Sequence, residues 1–279
     1  MTDALFTDPS GDLTPAASTP SVTIASGGER LLGVLHVPAG PGPHPIVVLL
    51  HGFPGNERNF DLAQALRRAG YATLVFHYRG SWGVGGSYSW ANVLADAAAV
   101  ADAVRAPAFA AEHRLDPDRL ALAGHSLGGF TALMTAAADP SINAVVSIAA
   151  VDFAAVARAC RADAAARASY VEMFGGDSLL PLRGTTAEAL IAEMEAAGDA
   201  WSLPALAPRL ADRPVLLLGA ARDTVTPEPV HFRPAVESYL AHPVPRLEHH
   251  LLPTDHAFSD HRITLTHTIA AFLDRHLKP

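Results

Sequence analysis

Cysteine and lysine are almost absent from this chain: its 279 residues include one of each, Cys160 and Lys278. A single thiol excludes an internal disulfide, and a domain of this size does not need one. Acidic residues outnumber lysine and arginine by 28 to 20, which gives a formal net charge of -8. Because such a surface repels phosphate groups, we expect no nucleic acid among the partners.

Long apolar runs and a targeting segment are also missing. No run of about 18 or more apolar residues occurs, so we predict that no segment spans a membrane. Residues 1–20 are rich in Ser, Thr, Pro, Asp and Ala and lack the basic and apolar regions of a signal peptide. We therefore predict a flexible N-terminal tail over residues 1–20 and a cytoplasmic protein.

What the sequence does contain is an alternation of strand-like and helix-like segments. Apolar runs such as HPIVVLLHG alternate with helical stretches such as ANVLADAAAVADAVRA, a pattern that predicts a mainly parallel sheet with helices on both faces. The segment SVTIASGGERLLGVLHVP predicts an antiparallel hairpin at the sheet edge, with its turn at Gly27 and Gly28. We predict an α/β fold in which residues 21–279 form a single domain.

One connection is much longer than the others. Residues 152–208 contain two helix-like stretches, FAAVARACRADAAARASYVEMF and GTTAEALIAEMEAAG, and the second begins with Thr185 as predicted N-cap and Glu188 three residues later. Ordinary connections in such folds have about 2–6 residues. We interpret residues 152–208 as a helical cap insertion over one end of the sheet. A helix pair with only a packing role is the alternative.

The segment LALAGHSLGGFTAL places Ser126 in a Gly-x-Ser-x-Gly pattern between a predicted strand and a predicted helix. A sharp strand-to-helix turn crowds the backbone, and glycines two positions before and after the serine relieve the crowding. Free N–H groups at the helix N-terminus would then face the reacting group. Ser126 is thus the candidate nucleophile and the Leu127 N–H a candidate oxyanion donor, with a plain tight turn as the alternative.

A serine nucleophile needs a base, and the base needs an acid that orients it. If the turn at Ser126 belongs to such a system, the acid and then the histidine should follow the serine along the chain. Asp223 comes just after the predicted strand RPVLLLGA, at the strand end where such sites form; a solvated turn aspartate is the alternative. His256 lies in the loop before the last helix, whereas His249 and His250 lie within a predicted strand. We predict a triad of Ser126, Asp223 and His256.

The loop HGFPG, residues 51–55, directly follows a buried strand. A His-Gly pair at this point lets the backbone turn so that the Phe53 N–H faces the serine. Oxyanion donors of this kind typically contribute about 2.7–4 kcal/mol to transition-state stabilisation. We therefore predict the Phe53 N–H as the second oxyanion donor and expect His51 to brace the loop.

A second loop, HYRGSWGVGGSYSW at residues 77–90, combines glycines with aromatic residues. Trp82, Tyr88 and Trp90 are candidate substrate-binding residues that would line an acyl or aromatic pocket; anchoring of the loop to the sheet is an equally open interpretation. The glycines lack the Gly-Lys-Ser/Thr ending of a phosphate-binding loop, and the histidines form no H-E-x-x-H set. We expect no cofactor and no metal.

The HGFPG loop, the GHSLGG turn, Asp223 in RDTVTP and His256 in DHAFSDHR resemble, in order and position, the α/β-hydrolase family. The resemblance covers residues 21–276 and implies the α/β-hydrolase fold with serine-hydrolase chemistry. Residues 77–90 are similar to the corresponding loop of dienelactone-hydrolase-like and prolyl-oligopeptidase-like members. Dienelactone hydrolases proper use a cysteine where Ser126 stands, and this chain has no room for the propeller domain of a prolyl oligopeptidase.

The resulting hypothesis is a carboxylesterase-like serine hydrolase that cleaves esters of small or medium acyl groups through an acyl-enzyme intermediate. A peptidase or amidase is the alternative; it needs an anchor for a substrate amino terminus, for which Glu193 and Glu195 are the candidates, although their helix positions face apart. An acyltransferase is a further alternative, and a non-catalytic ligand receptor is the least favoured. The expected partner is a small-molecule ester, and the oligomeric state stays open, a homodimer included.

Overall fold

A central sheet joins all the predicted strand segments of the chain. The structure is a computed structural model that describes residues 3–9, 11–242, 244 and 246–278. Its strands are β1 (Ser21–Ser26), β2 (Glu29–His36), β3 (His44–Leu50), β4 (Ala72–Phe76), β5 (Leu115–His125), β6 (Ala144–Ile148), β7 (Val215–Ala220) and β8 (Leu247–Leu252). Across the sheet the order is β1-β2-β4-β3-β5-β6-β7-β8. The β1–β2 and β2–β4 pairs are antiparallel and the others are parallel, so the predicted antiparallel edge is confirmed.

The helices fall between the strands, as the alternation predicts. They are α1 (Phe60–Arg68), α2 (Trp90–Arg105), α3 (Pro107–His113), α4 (Leu127–Ala138), α5 (Phe153–Ala162), α6 (Ala164–Phe174), α7 (Ala187–Ala197), α8 (Glu228–His231), α9 (Arg233–Ala241) and α10 (Arg262–His276). Short 3-10 turns lie at Asp3–Leu5, Gly176–Leu179, Gly198–Trp201 and Pro204–Arg209. Within the described part of the chain, no helix has the length and apolar character needed to cross a membrane.

Strand β3 shows why helices cover the sheet on both faces. Every residue of β3 is buried, and because successive side chains point to opposite faces, the strand contributes to two cores. Ile46 and Val48 pack in the core that includes residues of α2 and α4. Val47 and Leu49 pack in the core that includes residues of α1 and α10. The predicted α/β fold with helices on both faces is confirmed.

The long connection between β6 and β7 is helical, as predicted, but its helices differ in detail. The first stretch forms two helices, because the Asp163 side chain accepts a hydrogen bond from the Ala165 N–H and thereby caps a new helix, α6. The predicted N-cap Thr185 is wrong by one residue: the neighbouring Thr186 side chain accepts from the Ala189 N–H at 3.1 Å. Adjacent threonines offer the same capping group, so the sequence alone does not choose between them.

The cap, meaning residues 153–209, is attached firmly to α2 and to the loop before it. The Glu193 carboxylate accepts hydrogen bonds from the Trp90 N–H at 2.8 Å and the Ala91 N–H at 2.7 Å. The carboxylate therefore satisfies two backbone N–H groups at the N-terminus of α2 that have no acceptor within the helix. The Trp90 indole Nε1 also donates to the Leu190 carbonyl at 3.0 Å. One side of the cap is thus held by a charged group and by an aromatic side chain.

Backbone hydrogen bonds add a second attachment of the cap. The Trp82 N–H donates to the Pro181 carbonyl at 2.9 Å, and the Tyr88 N–H donates to the Arg183 carbonyl at 2.8 Å. In the opposite direction, the Arg183 N–H donates to the Gly80 carbonyl at 2.8 Å. The loop at residues 77–90 is therefore bound to the cap along much of its length.

The N-terminal segment makes contacts with the domain. Met1, Thr2 and Ser10 lie outside the described residues. Leu5 is 3 % exposed and belongs to the core beside α1, and Ser18 exchanges two backbone hydrogen bonds with Val37. A separate tail over residues 1–20 and a single domain over 21–279 stay predictions.

Candidate active site

Ser126 lies on the sharp turn between β5 and α4, as the sequence predicts. Its backbone has φ 57° and ψ −118°, a conformation that costs free energy in a residue with a side chain and recurs at functional sites. The Ser126 N–H donates to the Ile148 carbonyl at 2.8 Å, which joins the turn to β6. A Cβ on Gly124 would lie 2.0 Å from the Gly128 carbonyl oxygen. The glycine before the serine is therefore required by a close backbone approach.

Replacing Gly128 with alanine should destabilise the fold. A Cβ at this position would lie 1.9 Å from the Leu50 carbonyl oxygen, so the backbone would have to shift to accommodate it. We expect the free energy of unfolding to fall by about 1–3 kcal/mol or more, measured by chemical denaturation. Gly11→Ala is the matched control, since no heavy atom lies within 4 Å of its Cβ position. Equal stability of the two variants would contradict the close approach at Gly128.

Asp223 and His256 are brought together by the loops after β7 and β8. The His256 Nδ1 and the Asp223 Oδ2 are 2.6 Å apart. The same Oδ2 accepts from the Thr226 hydroxyl at 2.7 Å, and Oδ1 accepts from the N–H groups of Val225 and Thr226, each at 2.8 Å. Burial by itself would raise the pKa of Asp223, but the bond and charge of His256 and the donors of Thr226 lower that pKa to about 2. The carboxylate is therefore charged at neutral pH and can hold a histidine Nδ1–H.

His125 holds the His256 loop beside the serine. The His125 Nε2 lies 2.8 Å from the His256 carbonyl oxygen, and the two rings are 4.7 Å apart. Burial, together with the neighbouring His256, lowers the pKa of His125 to about 3, so a neutral ring donates this bond. Among the described residues Ser126 Oγ makes no hydrogen bond, to His256 or to any other group. The hydrogen bond between a nucleophile and its base often forms only with substrate present.

The predicted oxyanion donors lie on either side of the serine. Leu127 is the first residue of α4, and Phe53 follows Gly52, whose Cβ position is 3.1 Å from the Ser126 Cβ. Among the described residues no acceptor takes up the N–H of Phe53 or of Leu127. Both N–H groups are thus free to bind an oxygen of a ligand.

Trp82 supports the loop at residues 51–55. Its indole N–H donates to the Pro54 carbonyl at 2.7 Å, and its ring stacks on His77. The Tyr78 hydroxyl donates to the His51 carbonyl at 3.2 Å, while His51 itself donates from Nδ1 to the Gly52 carbonyl at 2.8 Å. These bonds fix the backbone that presents the Phe53 N–H, which agrees with the bracing expected of His51.

An apolar cavity of about 200 Å³ opens beside Ser126. Of the three aromatic residues predicted to line it, Trp90 does so, whereas Trp82 and Tyr88 do not. Tyr88 is 2 % exposed and packs behind Phe53 and Trp90. The lining residues are Phe53, Pro54, Trp90, Ser126, Leu127, Val151, Phe153, Tyr170, Met173, Phe174, Ser178, Val225, Thr226 and His231.

Sequence reasoning missed the contribution of the cap and of α8 to this cavity. Tyr170, Met173 and Phe174 are spaced by three and four residues, so they share one face of α6. That spacing was visible in the sequence, but nothing there indicated which neighbour the face would meet. His231, at the end of α8, had no motif around it. No cluster of His, Cys, Asp or Glu among the described residues is suited to a metal ion.

Acid should unfold this protein through its buried histidines. Burial lowers the pKa of His51 and His125 to about 3 and that of His231 to about 4. The unfolded chain binds these protons below pH of about 6.5, so folding stability is complete above that pH and is lost as the pH falls toward 4 and 3. We expect each histidine to remove about 2 kcal/mol of unfolding free energy between pH 6.5 and 5.

Denaturant titrations over this pH range measure the effect. His231→Asn should weaken the pH dependence, because asparagine does not titrate. His249→Gln is the matched control, because it removes a histidine that is exposed on β8 and not buried. A free energy of unfolding that is constant from pH 7 to 4.5 would contradict the prediction.

Comparison with known proteins gives a match to one family. A model of the family described as "Alpha/beta hydrolase family" matches residues 47–268. An uncharacterized 31.7 kDa protein from the traX-finO intergenic region of Escherichia coli is 35 % identical over 123 residues, which is 43 % of this chain and 42 % of that protein. The 2,6-dihydropseudooxynicotine hydrolase of Paenarthrobacter nicotinovorans is 30 % identical over 114 residues, which is 40 % of this chain and 30 % of that enzyme. These matches span less than half of each relative.

Solved structures extend the likeness to nearly the whole chain. An esterase of Pyrococcus furiosus, Pf2001, superposes with a TM-score of 0.68 over 97 % of this chain and 98 % of its own, at 16 % sequence identity. At that identity the likeness concerns the fold. The fold is thus shared with that esterase over nearly the whole of both chains.

Proposed function

Because the chain belongs to the alpha/beta hydrolase family, we propose that it is a serine hydrolase that cleaves carboxylic esters of small or medium acyl groups. The observation that carries the proposal is the strained Ser126 turn, which lines an apolar cavity and is joined through His125 to the hydrogen-bonded His256–Asp223 pair. A serine, followed along the chain by a buried carboxylate and then by a histidine, supplies the parts that acyl transfer requires.

The reaction proceeds in two halves. Ser126 Oγ attacks the ester carbonyl carbon while His256 Nε2 accepts the hydroxyl proton, and the N–H groups of Phe53 and Leu127 stabilise the negative oxygen. His256 then gives its proton to the leaving alcohol, which leaves an acyl group on the serine. Water attacks that acyl group with His256 again as base, and the acid is released. Asp223 keeps the proton of His256 on Nδ1 throughout.

The cavity agrees with an acyl group of small or medium size. Its volume of about 200 Å³ is bounded by α2, by the cap and by the loop at residues 51–55. Apolar walls gain free energy from burying hydrocarbon, at about 25 cal/mol per Å² of surface. The alcohol portion of the substrate then lies toward the open side of the cavity.

The two candidate anchors for a substrate amino terminus, Glu193 and Glu195, already have partners. Both Glu193 oxygens accept hydrogen bonds from the N-terminus of α2. Glu195 pairs with Arg167 at 3.3 Å. This occupation favours an ester substrate over a peptide that is recognised by its free amino group.

Labelling with a fluorophosphonate probe, followed by mass mapping, tests the proposal. We expect the label on Ser126, because only an activated serine attacks such a probe rapidly. A label on another residue, or no label on folded protein, would contradict the proposal and favour a ligand receptor on the same fold.

Matched esters and anilides of one acyl group then separate esterase from amidase activity, with faster turnover expected for the ester. An added alcohol that becomes acylated in preference to water would identify an acyltransferase. Each outcome concerns the second half of the reaction or the leaving group, so it leaves the role of Ser126 unchanged.

A further inference from the structure

His231 is a buried polar side chain in the wall of the apolar cavity. It ends the short helix α8, is 2 % exposed, and shares the cavity with Ser126. Neither of its ring nitrogens has a part in the reaction described above. In a buried imidazole each ring nitrogen is expected to have a hydrogen-bond partner, and a nitrogen without one needs an explanation.

The hydrogen bond at Nδ1 determines where the ring carries its proton. The Asp152 N–H donates to His231 Nδ1 at 3.0 Å, so Nδ1 is an acceptor and has no hydrogen. The Asp152 backbone is itself held in place, because this residue caps α5 through bonds from Ala154 and Ala155. Burial lowers the pKa of His231 to about 4, so the ring is neutral at pH 7. Its one proton is therefore on Nε2.

The Nε2–H has no acceptor among the described residues. Some described side-chain polar atoms are fully buried and have no hydrogen-bond partner, but His231 Nε2 is not among them. This nitrogen therefore keeps some accessible surface. Since the ring lines the cavity, that surface opens into it. A ligand that fills the cavity without offering an acceptor would leave this donor unpaired, at a cost in affinity.

The rest of the wall suits a flat aromatic group. Phe53 contacts Phe174 at a ring distance of 5.3 Å and Trp90 at 5.4 Å, both edge to face. Trp90 contacts Phe153 at 4.8 Å. Such rings offer both edges and faces to a further ring in the cavity.

We propose that His231 is a specificity-determining residue, whose Nε2–H donates a hydrogen bond to a neutral ether or carbonyl oxygen on an aromatic group of the substrate. The proposal rests on the proposed ester hydrolysis and names its substrate class. None of the described residues that line the cavity is lysine or arginine. A carboxylate there would lose its hydration without gaining a counter-charge, so the acceptor is neutral.

Two variants separate the two nitrogens of the ring. In His231→Asn the side-chain oxygen takes the place of Nδ1 and still accepts from the Asp152 N–H, while the donor into the cavity is lost. In His231→Gln the amide N–H lies near the former Nε2, while the acceptor for Asp152 is weakened. A merely structural role predicts that His231→Gln is the more damaging change for activity; recognition of an oxygen predicts the reverse for oxygen-bearing substrates.

The kinetic test uses esters that differ by one oxygen. Phenyl methoxybenzoates are compared with phenyl ethylbenzoates, and methoxyphenyl benzoates with ethylphenyl benzoates, at each ring position. Methoxy and ethyl groups have nearly the same shape but differ in their electronic effect on the ester. The change of their kcat/KM ratio from the wild type to a variant therefore reports the hydrogen bond. In at least one pair we expect the ratio to favour methoxy and to fall about tenfold in His231→Asn, with His231→Gln retaining more of it. An unchanged ratio for every pair would overturn the proposal.

A second measurement does not need turnover. In Ser126→Ala protein with ¹⁵N-labelled histidine, the His231 resonances should show the Nε2–H tautomer and shift with anisole more than with ethylbenzene. An Nδ1–H tautomer, or equal shifts with both compounds, would overturn the His231 proposal even if esters are hydrolysed. A selective shift without any ester hydrolysis would leave His231 as a recognition residue and reject the proposed reaction.

Discussion

Ser126→Ala should abolish turnover, with kcat lowered by about 10⁶-fold on any ester that the protein hydrolyses. The methyl side chain has no oxygen to attack the carbonyl, and His256 then has no proton to accept. The remaining rate would come from the oxyanion donors and from binding alone. The rate of phenol release from an activated aryl ester measures the effect.

The fold should tolerate this change, because alanine occupies the positive-φ position no worse than serine does. Unfolding curves of the variant and of the wild type should therefore coincide. Ser169→Ala is the matched control, since Ser169 is an exposed serine on α6 whose hydroxyl bonds only to the Ala165 carbonyl. We expect a loss of about 10⁶-fold, so residual activity above about 1 % of the wild type in Ser126→Ala would contradict the assignment of the nucleophile.

Asp223→Asn should lower kcat by about 10⁴-fold while leaving the site folded. Two backbone N–H groups, from Val225 and Thr226, donate to Oδ1 of Asp223. They should orient the asparagine so that its oxygen takes the Oδ1 position and its NH₂ group faces His256. An NH₂ donor opposite Nδ1 forces the histidine proton onto Nε2, where a base for Ser126 is needed.

Asp255→Asn provides the control for Asp223→Asn. Asp255 lies next to His256 and is exposed, and its carboxylate accepts from the Ser259 N–H at 2.8 Å. This change removes a nearby negative charge without touching the His256–Asp223 bond, so we expect less than a tenfold loss, as for a screened surface charge. Similar losses for both variants would show that charge, and not histidine orientation, is what Asp223 supplies.

Local patterns explain how much of the fold was predictable from the sequence. The β-branched runs and the alanine-rich helices each report their own secondary structure, and short connections leave few ways to assemble them. The Ser126 turn was equally visible, because its glycines form a local sequence pattern around the serine. The contact that requires Gly128, with the Leu50 carbonyl of β3, is distant in the chain and was not visible. The strand β8 and the loop that holds His256 followed from the same alternation.

The cavity wall was less predictable, because it depends on which surfaces meet. Trp82 and Trp90 lie eight positions apart in one aromatic loop, yet Trp82 bonds to Pro54 and Trp90 lines the cavity. Their difference arises from the path of residues 77–90 against the cap, which no local spacing encodes. For the same reason His231 was unmarked: its partner, the Asp152 N–H, is 79 positions away.

The attachment of Glu193 and Leu190 to Trp90 has a consequence for how substrates are chosen. Trp90 both binds the cap and lines the cavity. A movement of the cap would therefore break the hydrogen bonds of Trp90 and disrupt the cavity wall. We therefore expect the cap to keep one position while substrates enter and leave the cavity. Under the His231 proposal, the shape of the cavity and one hydrogen bond select the substrate. Substitutions on the α6 face at Tyr170, Met173 and Phe174 should then change the substrate preference.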